Sequence, residues 1–356
     1  MESKSYNYTT SLSKGDSYDL VFVTNIPSFY KVRLWNELNR HVRVYAIFVD
    51  SIEKDRNSDF VSVKPEFSFT VLSSSGVAGK SLELLRILRR VNYKKLVVGG
   101  WESIPSMLSY FMSPKRKNAV FCESSIYEIH RSFLKDSIKK LILSRTLVAL
   151  PSGQAQHEIL NLFGYKGRVI YTGGCGLLNY VSQPPYEPRK NARNYLYVGR
   201  LADVKNLKML VEVFNDLPGM HLDIIGFGEQ YNVLKALAAP NVTLLGAVNN
   251  VDLPSHYQSH DVFVLPSKVE PWGLVVEEAL NNGLPVIVSD RVGCKDDLVN
   301  SSNGLVFAHD DKIALRDAIL KTQDIDFYNS LRMGVSQIDF SSRIERQVNA
   351  YLKLLE

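Results

Sequence analysis

Short apolar runs rich in β-branched and aromatic residues alternate with helix-length stretches along nearly the whole chain, and this alternation constrains the fold more than any other feature. YDLVFVTNI (18–26) and VRVYAIFVD (42–50) read as buried strands on either side of a helical YKVRLWNEL (30–38), where Val32, Trp35 and Leu38 share one face. KSLELLRILRRVNYKK (80–95) is predicted as a helix with Leu82, Leu85 and Leu88 on its apolar side, and SIKKLILSR (137–145) as another. LVVGG (96–100), AVFCES (119–124), TLVALPS (146–152) and GRVIYTGG (167–174) are predicted strands. Strands separated by helices must run parallel, so the expectation is a sheet with helices on both faces.

Residues 179–194, NYVSQPPYEPRKNARN, break the pattern with three prolines and no periodicity. Beyond them it restarts, with strands at 195–199, 221–226, 242–246, 261–266 and 285–290 and helices at 207–217, 229–238, 252–258 and 273–282. The 356 residues are long for one domain. The expected division is a first domain at 1–180, a linker at 181–194, a second domain at 195–340 and a closing helix at 341–356 placed to pack back on the first domain. No short repeat argues for a solenoid.

Composition removes several classes. Hydrophobic residues make up 45% and charged residues 22%, which is globular rather than disordered. Cys122, Cys175 and Cys294 form no CxxC pair and no disulfide framework, so reduced thiols in a cytoplasmic compartment are expected. The first residues lack the apolar core of a signal peptide, and no apolar run reaches the length of a spanning helix. Charge is divided unevenly: residues 1–180 carry 25 Lys+Arg against 15 Asp+Glu, and residues 181–356 carry 17 against 22.

The chemistry concentrates at strand ends in the second half, where open parallel sheets bind ligands. YVGRLADVKNL places Gly199, Arg200 and Lys205 after a strand, two cations that suit a diphosphate, the alternative being ordinary surface charges. IIGFGE offers Gly226 and Gly228 for close backbone approach to a ligand, or for a plain turn. SKVEPWGLVVEEALNNGLPVIVSD (267–290) is more specific. Gly273 stands at a helix start whose N–H groups suit phosphate, Glu270 precedes it where it can accept bonds from sugar hydroxyls, and Glu278 lies inside the helix with two oxygens that match ribose hydroxyls. The alternative makes Glu270 a helix cap and Glu277 and Glu278 a solvated helix face.

GRLADVKN, IIGFGE, LLG, LPSKVEPWGLVVEEALNNGLPVIVSD and NGLVF (303–307), in this order, resemble the retaining nucleotide-sugar glycosyltransferases of family 4. The resemblance covers nearly all of residues 195–310 and rests chiefly on the E-x(7)-E pattern. It implies the α/β GT-B fold, two Rossmann-like doubly wound parallel-sheet domains facing across a cleft. It implies that Arg200 and Lys205 hold the donor diphosphate, that Glu270 positions the sugar, and that Glu278 binds the ribose. Trp272, Gly273 and Leu274 would offer backbone contacts, and the base would lie near Leu245, within 244–246. Two positions depart from the pattern: Asn206 stands where glycine usually follows the lysine, and Cys294-Lys295 follows Gly293 where a small residue is usual.

The first half matches the family in pattern more than in motif. NIPSFYKVRLWNEL replaces the usual glycine-rich loop, and Lys31 or Arg33 is the candidate substitute cation, with exposure to solvent the favoured alternative. Trp101 and Glu102 at the end of LVVGG, and Glu123 and Ser124 in VFCESSIYEIHR (120–131), are the candidate acceptor-binding residues; His130 is expected to be structural or exposed. Basic residues at 86–95, PKRK (114–117), Lys135, Lys139 and Lys140 alternate with Leu and Ile in a way that suits an anionic membrane surface, or a solvated helix face. No nucleic-acid module accompanies them.

The expected function is transfer of a sugar from a nucleoside diphosphate sugar, UDP-linked before GDP-linked, to a hydroxyl of a glycan or glycolipid. No cofactor or metal is expected. Bacterial surface polysaccharide or lipopolysaccharide assembly, in the cytoplasm or at the inner face of its membrane, is the expected setting. The competing expectations are a nucleotide-sugar epimerase or hydrolase and a noncatalytic nucleotide-sugar or glycan-binding subunit.

Overall fold

Residue 13 and residues 15–51, 61–101, 103–178 and 180–356 are described by a computed structural model, in which the chain divides into two units. Unit 1 comprises Met1–Leu178 with Ser341–Glu356, and unit 2 comprises Asn179–Phe340.

Seven parallel strands form the sheet of unit 1: β1 (Ser17–Thr24), β2 (Val44–Phe48), β3 (Ser68–Val71), β4 (Asn92–Gly99), β5 (Asn118–Cys122), β6 (Val148–Pro151) and β7 (Arg168–Val169), in the order β3-β2-β1-β4-β5-β6-β7. Helices α1 (Phe29–Asn39), α2 (Gly76–Arg90), α3 (Ile104–Met112), α4 (Phe133–Ser144) and α5 (Gln154–Leu162) connect them. β2 and β5 are buried along their whole length, as strands covered on both faces are. The core combines Val21, Val23, Ile47, Leu84, Leu96, Val98 and Val120 with Tyr45 and Tyr110, whose hydroxyls reach Thr70 and backbone carbonyls.

Unit 2 holds β8 (Asn194–Val198), α6 (Leu207–Asn215), β9 (His221–Ile225), α7 (Tyr231–Leu237), β10 (Val242–Gly246), α8 (Leu253–Ser259), β11 (Val262–Leu265), α9 (Leu274–Asn281), β12 (Val286–Ser289), α10 (Lys295–Leu298), β13 (Gly304–Phe307), α11 (Lys312–Lys321) and α12 (Ile325–Ser336). Its six strands are parallel, in the order β10-β9-β8-β11-β12-β13. Each sheet therefore reverses its winding once, beside β1 and β4 in unit 1 and beside β8 and β11 in unit 2, which is the doubly wound arrangement.

The final helix, α13 (Phe340–Leu352), belongs to unit 1 from Ser341 onward. Tyr351, 1% exposed, packs on Phe22 and Phe121, and the Arg343 guanidinium donates to the Gly173 carbonyl at 2.8 Å. The proline-rich segment is not a free spacer. Asn281 brackets the Val181 backbone through both its N–H and C=O, Gln183 donates to the Leu280 carbonyl, and Arg189 pairs with Asp261.

Several predicted elements shift. The stretch 80–95 is helical only to Arg90, because Asn92 already pairs beside Ser17 as the first residue of β4. Leu82 is exposed, and the buried face of α2 is Ser81, Leu84, Ile87 and Leu88. GRVIYTGG contributes only the two residues of β7. The sequence reading also leaves out β3, α3, α5, α10, β13, α11 and α12, which lie where the apolar pattern is short or mixed.

Candidate functional site

At the winding reversal of unit 2 the chain leaves β8 through residues 199–206 and leaves β11 through residues 266–273. The first of these segments is locked to the loop after β9. Gly199 N–H donates to the Ile225 carbonyl at 3.0 Å, Leu201 N–H to Phe227 at 2.8 Å and Gln230 N–H to Leu201 at 3.0 Å. Such backbone-on-backbone packing leaves no room for side chains: a Cβ on Gly226 would lie 1.8 Å from the Gly199 oxygen, and one on Gly228 2.5 Å from the Leu201 oxygen. The two glycines of IIGFGE are therefore required by loop packing. The Tyr197 hydroxyl, deep in the core, donates to the Arg200 carbonyl at 2.9 Å, and the Arg200 side chain stands exposed on this platform.

A single 3₁₀ turn, Asp203–Lys205, then brings Lys205 inward. Asn206 follows at φ +58°, the only residue other than glycine with positive φ among the described residues. Asparagine tolerates the left-handed region better than most side chains, which accounts for its presence where glycine is usual. Its amide also donates to the His309 carbonyl at 2.8 Å. The second segment is stitched to this turn: Lys268 N–H donates to the Val204 carbonyl at 2.8 Å, and its ammonium pairs with Asp203 at 2.9 Å.

These constraints bring the Lys205 ammonium into an ion pair with the Glu270 carboxylate, the two side chains only 11% and 13% exposed. Glu270 is held from the other side by its N–H to the Arg291 carbonyl at 3.1 Å and by Gly293 N–H to its own carbonyl at 2.9 Å. Gly273, at φ +104°, begins α9, and a Cβ there would meet Val292 at 3.0 Å and the Cys294 sulfur at 3.3 Å. Cys294 is fully buried, and its N–H bonds the Trp272 carbonyl at 2.8 Å, so it forms the floor beneath Gly273. Lys295 pairs with Asp296 at 2.6 Å. Trp272 is 3% exposed, so its ring belongs to the core, and Leu274 is half-buried at the first turn of α9.

The adjacent carboxylates of α9 differ. Glu277 is fully buried and accepts from the Tyr180 hydroxyl at 2.8 Å, which corrects the solvated-face alternative for this residue. Glu278 is half-buried and accepts from the Tyr257 hydroxyl at 2.9 Å. Desolvation, reinforced by the Glu277 charge and opposed by the Tyr257 hydrogen bond, pushes its carboxyl up to about 7. Leu245 and Phe227 are exposed at the ends of β10 and β9. The structure thus joins Lys205 to Glu270 and gives Glu278 a tyrosine partner; no ion pair links Arg200 to Glu270 or Glu278 among the described residues. Sequence reasoning missed Tyr257 and the Asp203–Lys268 clasp, whose partners lie far apart in the chain and carry no local motif.

In unit 1, Lys31 is not a solvent-facing cation. It is 6% exposed and pairs with Glu123 at 2.7 Å, because the first turn of α1 aims it across the ends of the strands. The surface-carboxylate alternative for Glu123 fails with it. Arg33 is half-buried, and burial lowers the pKa of its guanidinium. Trp101 is half-buried, edge-on to Phe163, with the Lys139 ammonium 5.2 Å from its ring, so it packs on the core. Ser124 is half-buried and His130 exposed; Glu102 lies outside the described residues. Among the described residues no group of three or more His, Cys, Asp or Glu side chains is arranged to hold a metal, and no helix is long and apolar enough to cross a membrane.

Residues 182–328 match the family model for glycosyl transferases group 1, which accounts for most of unit 2. The chain is 28% identical over 291 residues to the O-antigen biosynthesis glycosyltransferase WbnH of Escherichia coli, covering 80% of this chain and 76% of that one. It is 27% identical over 171 residues to an uncharacterized 41.2 kDa protein in the cps region of Klebsiella pneumoniae, a match that spans 47% of either chain. Among solved structures, sucrose-phosphate synthase from Thermosynechococcus elongatus superposes with a TM-score of 0.75 at 18% identity, over 94% of this chain and 99% of that one. Anabaena Alr3699/HepE in complex with UDP gives 0.71 at 13% identity, over 94% and 99%. The two-sheet α/β fold is that of GT-B glycosyltransferases.

Proposed function

We propose that this chain transfers a sugar from a nucleoside diphosphate sugar, with UDP favoured over GDP, to a hydroxyl of a glycan or lipid-linked acceptor, with retention and without a metal. The observation that carries the reading is the Lys205–Glu270 pair at the winding reversal of unit 2, beside the glycine-led start of α9. A donor diphosphate draws on Lys205, Arg200 and the first N–H groups of α9, while Glu270 accepts from the sugar hydroxyls and Glu278 from the ribose. The bond between the anomeric carbon and the phosphate oxygen breaks, and a bond to the acceptor oxygen forms on the same face. The acceptor proton passes to the departing phosphate oxygen, and the nucleoside diphosphate leaves. Fixed cations at that oxygen stabilise the charge as it develops.

Relatives named for O-antigen biosynthesis support a role in bacterial surface polysaccharide or lipopolysaccharide biosynthesis, and we propose a location on the cytoplasmic side of the membrane. Peripheral attachment there has a specific basis in α4. Phe133 and Leu134 are 91% and 69% exposed, Ile138 and Leu141 also reach solvent, and Lys135, Lys139 and Lys140 lie between them. Apolar side chains interleaved with lysines suit an anionic leaflet.

The test is calorimetric titration with UDP, GDP and ADP in the presence of a chelator, repeated on Glu278→Ala and Arg200→Ala. Saturable binding of one nucleotide, weakened by both substitutions, is the expected result. No binding of any nucleotide would replace the transferase reading with that of a glycan-binding subunit.

A further inference from the structure

Glu270 and Glu278 meet different kinds of partner. Glu270 pairs with Lys205, whereas among the described residues no cation pairs with Glu278, and its Oε2 accepts from the neutral Tyr257 hydroxyl. Its Oε1 receives no donor from the described residues. Tyr257 belongs to α8, whose end is fastened on two sides. His260, 6% exposed, has Nδ1 2.6 Å from the His256 carbonyl oxygen and Nε2 3.1 Å from Asp223 Oδ2 in β9, and His221 Nε2 lies 2.8 Å from the other Asp223 oxygen. Gln258 donates to the Asn282 side-chain oxygen at 3.2 Å, and the Asn282 amide donates to the Glu278 carbonyl at 2.9 Å. The Tyr257 ring is fully buried and packs on Phe263 of β11, with centroids 5.9 Å apart. Desolvation, and after it the Glu278 charge, hold the Tyr257 hydroxyl well above the ordinary tyrosine range, so it stays a donor.

Fold stability does not explain a carboxylate at this position. Desolvation and the Glu277 charge both penalise its ionised form. A glutamine would accept from Tyr257 without that penalty, and replacing both partners by apolar groups would remove the need for the bond. What the arrangement does achieve is a fixed acceptor. The tyrosine sets the rotamer of Glu278, so the entropy of ordering a long side chain is lost in folding rather than in binding. A half-buried oxygen left without a donor then penalises any ligand that lacks the hydroxyl to fill it.

We propose that Tyr257 is a positioning residue that sets Glu278 to select ribonucleotide donors over deoxyribonucleotide ones. With Oε2 engaged by the tyrosine, Oε1 accepts from a ribose hydroxyl, and a deoxy nucleotide leaves that oxygen unpaired. The inference rests on the reading of Glu278 as the ribose carboxylate of a nucleotide-sugar site, and it adds the residue beneath that carboxylate that makes the site selective.

The experiment is calorimetric titration of the full chain at about pH 8, where the Glu278 carboxyl is ionised, with UDP, 2′-deoxy-UDP and 3′-deoxy-UDP; the GDP series replaces them if GDP is the nucleotide bound. The parent is expected to bind UDP about tenfold or more tighter than at least one deoxy form. Tyr257→Phe keeps the ring and should narrow that ratio about threefold or more, whereas loss of a merely structural hydroxyl would weaken all three nucleotides alike. In a Glu278→Gln background the same substitution should narrow it no further, since the tyrosine acts through the carboxylate. Equal binding of UDP and both deoxy forms by the parent overturns the inference, as does a ratio that Tyr257→Phe leaves unchanged or narrows equally in both backgrounds. No binding of UDP, GDP or ADP overturns the transferase reading beneath it, so the two failures are distinct.

Discussion

Lys205 and Glu270, drawn from the segments that leave β8 and β11, neutralise each other inside the candidate donor site before any ligand arrives. Each restrains the other in one geometry, so a bound diphosphate sugar has only to redistribute hydrogen bonds that are already aimed. Such preorganisation lowers the reorganisation needed as charge develops. Removing one partner leaves the other poorly solvated. Lys205→Met and Glu270→Gln are each expected to lower transfer by about 100-fold or more and stability by roughly 1–3 kcal/mol. The double variant should recover part of the stability and none of the activity. Urea unfolding and initial rates on the three proteins test this, and additive stability losses would contradict it.

Gly226 permits a contact that no side chain can share. Gly226→Ala is expected to separate the loops after β8 and β9, reduce stability by about 2 kcal/mol or more and abolish nucleotide binding. Gly219→Ala, where a Cβ meets nothing within 4 Å, is the control and should bind normally. Calorimetry with UDP on both variants decides the point.

Asn206 tests the left-handed turn. Asn206→Val places a β-branched residue at φ +58° and should cost about 1–3 kcal/mol. Asn206→Gly relieves the backbone and loses the amide's bond to the His309 carbonyl and its weak one to the Met209 sulfur, a change of roughly 1 kcal/mol or less. Thermal melts should rank the parent and the glycine variant well above the valine variant; equal melts would remove the turn as a constraint.

Glu278 links ionisation to both folding and binding. Its folded carboxyl titrates near 7, above the ordinary glutamate range, so between those limits the native state holds a proton that the unfolded chain releases. Stability contributed by the protonated form is therefore full at low pH and is lost as pH rises through about 7. Glu278→Gln should gain on the parent in melting temperature from pH 5 to pH 8. Ribose recognition needs the carboxylate, so affinity for a UDP-sugar, whose diphosphate does not titrate in this range, should rise about tenfold from pH 6 to pH 8. A flat affinity profile in the parent would contradict the role.

The exposed face of α4 makes a further prediction. Phe133→Ser/Leu134→Ser should weaken sedimentation with vesicles containing anionic phospholipid by at least tenfold, since burying one such side chain contributes about 1.5–3 kcal/mol. Neutral vesicles should bind the parent poorly, and high salt should release it. Equal sedimentation of parent and variant on anionic vesicles would remove α4 from any membrane role.

What the sequence discloses depends on whether a residue's partner is local. Strands such as β2 and β5 are legible because burial on both faces leaves continuous apolar runs, and the site segment from Glu270 to Glu278 is legible because its spacing lies within one strand-to-helix turn. Lys31 is misread, and Glu277 is considered only as part of a solvated-face alternative, for the opposite reason. A charged residue is assigned to solvent unless a partner is in view, and their partners, Glu123 and Tyr180, arrive from distant segments. Asn206 stands between these cases: its departure from glycine is visible in the sequence, but only the backbone angle explains why it is tolerated.

The passage of the chain out of unit 1 at Leu178 and back into it at Ser341 has a consequence for synthesis on the ribosome. Unit 2 is continuous, so all of its strands have emerged while unit 1 still lacks the helix that lays Tyr351 on Phe22 and Phe121. Of the two units, the one that begins earlier is therefore completed later. Until α13 docks, the aromatic surface around Phe22 and Phe121 stays open to water, so unit 1 has the longer period of vulnerability to proteases and chaperones.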